Sequence, residues 1–206
     1  MKTLADIGCG PSALYWSLGY IQHIARADWY DCSSDAVSYA SEELSRLDPG
    51  SLEESYGATI HRLRSLGLIA DDLSGAELCE ELHTRIRSIA RHDILESPLP
   101  QAVDVVFAND SLPFVDTMED LNRTLRHTRD SLLPGGVCAG SYYRRGADTE
   151  RTESLIRARY DGRLNPDAPQ FKKAALGAGF ARVDITRFAD SDSEEYPEHL
   201  VFFLYT

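Results

Sequence analysis

Several things are scarce in this sequence, and each shortage excludes a class of protein. Positive charge is short: 21 Lys and Arg stand against 33 Asp and Glu, a formal net charge of −12. A nucleic-acid surface needs a basic stripe that displaces counterions from phosphates, so no nucleic-acid partner is expected. Cysteine is limited to Cys9, Cys32, Cys79 and Cys138, which share no paired or metal-ligand spacing. They read as reduced thiols of a cytoplasmic protein, with neither a disulfide framework nor a metal centre. No apolar run is long enough to span a bilayer, and the opening residues lack the pattern of a signal peptide, so no membrane partner is expected. Internal repeats and low-complexity stretches are also missing. What remains is a globular composition, 43% hydrophobic and 26% charged over 206 residues, which reads as a single domain over 1–206.

The chain is organised around its start. A short apolar run, Thr3 to Ile7, enters Gly8-Cys9-Gly10-Pro11-Ser12, and a helix is expected over 12–19. A strand, a glycine turn and a helix N-terminus together present backbone N–H groups to the polar parts of a ligand. Two familiar readings fail. No Gly-Lys-Ser/Thr follows, which excludes the phosphate loop of nucleotide hydrolases, and the third glycine of the dinucleotide fingerprint is missing. An NAD-binding domain is therefore the weaker rival.

Further along, His23 to Tyr30 reads as a second strand with Asp31 at its carboxyl end, the edge at which open α/β sheets bind ligands. Ser33 or Ser34 caps a helix running through Val37 and Ala40 to Leu47, which Pro49-Gly50 stops. Residues 51–87 exceed a simple crossover. Ile60, Leu63, Leu66 and Ile69 form one helical stripe and Leu78, Leu82 and Ile86 another, giving two extra helices that either cover the pocket or pad a sheet face. A short third strand, Ser88 to Ala90, delivers Arg91-His92-Asp93-Ile94, and a fourth, Val103 to Ala108, ends in Asn109-Asp110. A helix over Thr117–Leu133 leads through Pro134-Gly135-Gly136 into a fifth strand, Val137–Tyr143, and then a helix over about 149–160. The tail reads as a short helix, Phe171–Leu176, ended by Gly177-Ala178-Gly179-Phe180, then strands at Arg182–Phe188 and His199–Tyr205 joined by the polar segment 190–198. The expected fold class is α/β: a Rossmann-like seven-stranded, mostly parallel sheet with an antiparallel C-terminal strand, helices on both faces, and extra helices between strands 2 and 3.

These landmarks stand in a telling order: Asp6-Ile7-Gly8-Cys9-Gly10, Asp31, Asp93, Asn109-Asp110, Leu133-Pro134-Gly135-Gly136 and Ala178-Gly179-Phe180. Over nearly all of residues 3–206 they resemble the catalytic domain of class I, Rossmann-like S-adenosylmethionine-dependent methyltransferases. Within that class, Asp6 to Ser12 with Tyr15, then Asp31-Cys32-Ser33, is similar to the nicotinamide, phenylethanolamine and indolethylamine N-methyltransferase group, which has a similarly long segment between its second and third strands.

The resemblance implies S-adenosyl-L-methionine as cofactor, S-adenosyl-L-homocysteine as product, and a small-molecule acceptor, with nitrogen slightly ahead of oxygen or carbon. Its cofactor-binding set is Asp6, Gly8, Gly10, Tyr15, Asp31, Cys32, Asp93, Ile94 and Asn109. Backbone N–H groups near Gly8 and Gly10 meet polar parts of the methionine or ribose. Asp31 accepts the ribose hydroxyls, or else caps the following helix. Asp93 accepts from the adenine amine beside Ile94, or is a turn aspartate. Asp6 either reaches the cofactor's amino group through water or only braces the turn. Tyr15 and Cys32 pack against adenosine or fill core, whereas Cys9 has no base beside it and is not a nucleophile. Asp110 and Tyr142 are the catalytic candidates, orienting an amine or taking its proton; Asp110 is equally read as a cap. No metal is required.

Two departures qualify the resemblance. The related N-methyltransferases carry an acceptor-holding aspartate on or after the fifth strand, where this chain reads Ala139-Gly140-Ser141-Tyr142-Tyr143. They also carry covering helices before the first strand, where only two residues precede Thr3. The cover is then the 51–87 insertion, a homodimer mate or another partner chain, or it is missing because the chain is truncated. A cyclase or other alkyl-transfer enzyme using the same cofactor, and a non-catalytic cofactor-binding partner subunit, are the competing readings.

Overall fold

The structure is a computed structural model, and it describes residues 2–112, 115–144, 164, 166–188 and 198–206. The chain divides into two compact units, Met1–His92 and Asp93–Thr206.

In the first unit, strand β1 (Lys2–Ile7) pairs in parallel with β2 (Ile24–Asp31), which pairs in parallel with β3 (Ile86–Arg91). Leu4, Ala5, Ile7, Ala27 and Trp29 are buried, as strands covered on both faces require. Between β1 and β2 the expected single helix is split. A 3-10 turn, Gly10–Ser12, precedes a short helix α1 (Ala13–Ser17), because Pro11 lies at the start and Gly19 follows closely. After β2 comes α2 (Ser34–Arg46), whose first turn is capped by the Ser33 hydroxyl accepting from the Ala36 N–H.

Pro49-Gly50 does not merely end α2. The Asp48 side chain accepts from the Ser51 N–H while the Ser51 hydroxyl oxygen accepts from the Asp48 N–H, so Pro49 becomes the first residue of α3 (Pro49–Ser65). Proline suits that position because its missing N–H is one that a helix start leaves unpaired anyway. A second capping box, Ser74 with Glu77, starts α4 (Gly75–Arg85). Beyond α2, two extra helices therefore lie between β2 and β3, as the two stripes predict.

In the second unit, β4 (Val103–Asn109) pairs in parallel with β5 (Leu132–Arg144). β6 (Arg182–Phe188) and β5 each pair antiparallel with β7 (Glu198–Tyr205). Two further helices are α5 (Met118–Asp130), capped by Thr117, and α6 (Ala168–Gly177), opened by a capping box of Asp167 and Gln170. One face of β5 and β7 buries Cys138, Tyr142, Leu200, Phe202 and Leu204, with the ring of Phe171 from α6 4.9 Å from that of Phe202.

One boundary differs from expectation. α5 stops at Asp130 rather than running to Leu133: the Ser131 N–H makes the last helical bond, to the His127 carbonyl, and the Ser131 carbonyl accepts from the Val103 N–H of the sheet instead. Leu132 and Leu133 are then strand residues, and Pro134-Gly135-Gly136 is a bulge inside β5: the register moves from Val103 opposite Leu132 to Val105 opposite Val137. Gly135 sits at φ 78°. The helix expected over 149–160 and most of the 190–198 linker lie outside the described residues.

The seven strands form a sheet in the order β3-β2-β1-β4-β5-β7-β6, mostly parallel, with β7 antiparallel to both neighbours and helices on both faces. Gly140 marks the closest approach in it. A Cβ there would lie 2.1 Å from the Ala108 carbonyl oxygen and 2.6 Å from Cζ of Phe202. Gly140→Ala is expected to destabilise by about 3 kcal/mol, the upper range for overpacking, which lowers Tm by roughly 6–12 °C in a chain of this size. A thermal melt followed by circular dichroism checks this; an unchanged Tm contradicts the packing described.

Candidate functional site

The carboxyl ends of the strands carry most of the expected residues. In the first unit the glycine turn leaves β1 with both Gly8 (φ 63°) and Gly10 (φ 60°) in the left-handed region, where a side chain is strained. Among the described residues nothing lies within 4 Å of where a Cβ on Gly10 would be, so the turn has open space against its backbone.

Asp31, the last residue of β2, holds that turn in place. Its Oδ2 accepts from the Gly10 N–H at 2.9 Å and its Oδ1 from the Ser33 N–H at 2.8 Å. Its backbone carbonyl accepts from the His92 N–H at 2.9 Å, and the neighbouring Tyr30 carbonyl accepts from the Cys9 N–H at 3.1 Å. The Arg91 guanidinium donates Nε–H to the Cys32 carbonyl at 3.0 Å. The exits of β1, β2 and β3 are thus knotted around residues 30–33. Ser33, not Asp31, caps α2. An ionised carboxylate has about four acceptor positions, so each oxygen of Asp31 keeps one beyond its backbone bond.

Asp6 faces the other way. It is buried, and its Oδ2 accepts from the Tyr20 hydroxyl at 3.1 Å. Tyr20 in turn accepts from Trp29 Nε1–H at 3.1 Å, and Ser17 Oγ lies 2.7 Å from the same hydroxyl. Burial pushes the Asp6 carboxyl up to about 8, against the lowering effect of the Tyr20 bond, and the Asp31 charge adds to the rise. The carboxyl braces the segment between β1 and β2 from within. The Cys9 thiol is likewise pushed up, by burial first and then by Asp6 and Asp31, which keeps it an unreactive thiol.

Cys32 is exposed beside this knot. Tyr15 is also exposed, its ring edge-on to Trp16 at 5.0 Å and 6.5 Å from that of Tyr56. Its neighbours are therefore aromatic rings of α1 and α3.

In the second unit, Asp93 forms a turn of its own: Oδ1 accepts from the Leu95 N–H at 2.9 Å. His127 Nδ1–H donates to the Ile94 carbonyl at 2.8 Å. Asn109 ends β4 with its side-chain oxygen accepting from the Ser141 hydroxyl, which leaves its NH₂ to donate elsewhere. Asp110 follows at φ 53°, the one non-glycine residue in the left-handed region among those described, held by its N–H on the Ser141 carbonyl at 2.6 Å. Aspartate is among the few side chains that tolerate this conformation. Tyr142 lies on the other strand face. The side chain expected to aid an acceptor is 2% exposed, packs 5.2 Å from the Phe171 ring, and gives its hydroxyl to the Pro166 carbonyl at 3.3 Å. Strand alternation turns it to the core face while Ser141 points the other way.

Sequence reasoning missed two residues. Tyr20 carries no motif, and only the folded turn brings it to Asp6. His199 on β7 is close enough to Asp110 for that carboxylate to oppose the lowering of its pKa by burial; neighbours so distant in sequence leave no local pattern. Among the described residues no group of three His, Cys, Asp or Glu is arranged to hold a metal ion, and no helix is long and apolar enough to cross a membrane.

No family model and no curated protein sequence matches the chain. Solved structures do. The N-methyltransferase NodS from Bradyrhizobium japonicum WM9, in complex with S-adenosyl-L-homocysteine, matches with a TM-score of 0.61 at 14% identity over 100% of this chain and 78% of that one. An S-adenosylmethionine-dependent methyltransferase from Mesorhizobium loti gives 0.61 at 17% identity over 100% and 91%. PigF, with S-adenosyl-L-homocysteine, gives 0.61 at 18% identity over 98% of this chain and 50% of its own, so this chain spans half of that protein. The chain shares its fold with these methyltransferases. The matches include both N- and O-methyltransferases and do not single out the nicotinamide, phenylethanolamine and indolethylamine group.

The raised pKa of Asp6 has a consequence for stability. Its folded value, about 8, lies above the ordinary carboxyl value of 3.8, so the native state holds a proton that the unfolded chain releases. That contribution is complete at low pH and is lost progressively as pH rises from about 4 through about 8. Asp6→Asn, which keeps an acceptor for Tyr20 and cannot ionise, should gain on wild type by on the order of 2–4 kcal/mol between about pH 5 and pH 8. Denaturant titrations at the two pH values test this; parallel pH dependence of the two proteins contradicts a neutral buried Asp6.

Proposed function

We propose that the chain is an S-adenosylmethionine-dependent methyltransferase acting on a small-molecule acceptor. The observation that carries this reading is Asp31, fixed to the glycine turn through Gly10 with acceptor positions to spare. The open space over Gly10 and the positive φ of both turn glycines fit a ligand laid against the backbone.

In this reading the N–H groups of the Gly8–Gly10 turn meet the methionine or ribose end of the cofactor, and Asp31 accepts the two ribose hydroxyls. Cys32 and Tyr15 pack beside the adenosine. On the resemblance of the sequence, Asp93 takes the adenine amine through the acceptor positions its turn leaves over, with Ile94 against the ring. Asn109 offers its side-chain NH₂. When bound, S-adenosylmethionine supplies a methyl group activated by a sulfonium. What the protein adds is alignment of the acceptor's lone pair with that methyl, which alone supplies much of an acceleration. Asp110 orients a cationic amine and takes the proton it must lose before its lone pair is free; a planar ring nitrogen needs no base. Nitrogen is favoured as acceptor by the Asp6–Ser12 and Asp31–Ser33 segments, and the absence of a carboxylate at Ser141 favours an acceptor other than a basic amine held from the fifth strand.

Calorimetric titration with S-adenosylmethionine and S-adenosylhomocysteine tests the proposal. Wild type should bind both. Asp31→Asn should weaken binding at least about tenfold, since hydrogen bonds to a charged acceptor contribute about 1.5–3 kcal/mol each. Asp110→Asn should leave cofactor binding within about threefold of wild type and impair only transfer, because its assigned partner is the acceptor. A folded wild-type protein that binds neither ligand contradicts the proposal.

A further inference from the structure

Within the first unit, α1, α2 and α3 line an open cleft of about 230 Å³. Its walls include Leu14 and Leu47, the rings of Tyr39 and Tyr56, and the side chains of Glu42, Glu43 and Arg46. Glu43 lies nine residues beyond the first residue of α2, or about 13 Å along the helix from the end that follows β2. Glu43 is therefore set well along α2 from the helix end that follows Asp31.

Its charges do not cancel. Arg46 is taken by Glu42 in an ion pair four residues apart. Glu43 accepts the Tyr56 hydroxyl on Oε1 at 2.5 Å, but its Oε2 is screened from solvent and has no hydrogen-bond partner among the described residues. Burial and the Glu43 bond both push the Tyr56 phenol up, which keeps it a donor. A buried carboxylate oxygen without a donor is costly, and the adjoining space is where a donor would enter.

We propose that this cleft is a second ligand site, which takes a small organic ammonium ion with an apolar body. An ammonium supplies the donor that Glu43 lacks and the charge that Glu42 and Arg46 leave unbalanced. The Tyr39 and Tyr56 rings attract a cation by their quadrupoles, and Leu14 and Leu47 receive its carbon skeleton. The competing chemistries fit less well. An anion would meet an arginine already paired, and a neutral arene would leave Oε2 without a donor. A hard divalent ion would want six or so oxygen ligands. The volume suffices, since an engineered cavity of about 150 Å³ holds benzene. The site is independent of the cofactor reading and stands or falls without it.

The probe is 2-phenylethylammonium, titrated calorimetrically into the full chain, with 2-phenylethanol as its neutral counterpart. The ammonium should bind with a millimolar or tighter dissociation constant, and the alcohol at least about tenfold more weakly. Glu43→Gln, which keeps an acceptor for Tyr56, should weaken the ammonium about tenfold at unchanged Tm. Tyr39→Ala, an exposed position that leaves the fold intact, should weaken it about threefold. Saturating S-adenosylhomocysteine should not displace it. The proposal is overturned by absence of ammonium binding to folded wild type, by equal binding of the alcohol, by full affinity in Glu43→Gln, or by displacement with S-adenosylhomocysteine.

Discussion

The hydrogen bond from the Gly10 N–H to Asp31 is the constraint on which the first unit depends. A glycine turn with two residues in the left-handed region has few backbone bonds to fix it, here that of the Cys9 N–H to the Tyr30 carbonyl, and by itself would sample many conformations. Asp31 supplies the missing partner across 21 residues of sequence. The same side chain fixes its own exit through Ser33, and its carbonyl catches the chain again as it leaves β3 at His92. One residue therefore sets the geometry of three strand ends. A carboxylate suits the task because charged acceptors make stronger bonds to backbone N–H groups than neutral ones do. It also retains lone pairs for a ligand, so the group that orders the turn is also the one proposed to hold ribose.

That arrangement limits what Asp6 can do. Two ionised carboxyls close together in a buried setting repel, and the carboxyl less able to find donors stays protonated. Asp31 has two backbone N–H groups, whereas Asp6 has a single phenol. The division of labour follows: Asp31 is dressed for a charged role at the sheet edge, and Asp6 for a neutral, structural one beneath it. The sequence alone left both readings of Asp6 open, and its partner Tyr20 is what separates them.

The legible parts of the fold were those written in local chemistry. Serine at position 33, the Gly8–Gly10 turn and the apolar runs of β2 and β4 each carry their own physical signature over a few residues, and the structure follows them. The capping boxes at Asp48 and Ser74 were equally local, though Pro49 was read as an end when it is a beginning. What escaped notice depended on distant partners. The bulge at Pro134–Gly136 arises because Val103 claims the Ser131 carbonyl. Tyr142 became core because α6 brings Phe171 against it. The closeness of His199 to Asp110 exists only once β7 has returned beside β5. None of these is a pattern in a window of sequence.

The central claim is that the turn tied to Asp31 is where S-adenosylmethionine binds. The most direct measurement is an amide ¹H–¹⁵N correlation spectrum of the folded chain recorded on addition of S-adenosylhomocysteine. The amides of Gly8, Cys9, Gly10, Cys32 and Ser33 should shift most within the first unit, while those of Tyr39 to Arg46 beside the second cleft stay put. Unmoved turn amides at saturating ligand, or the largest shifts in the α2–α3 cleft, would contradict it.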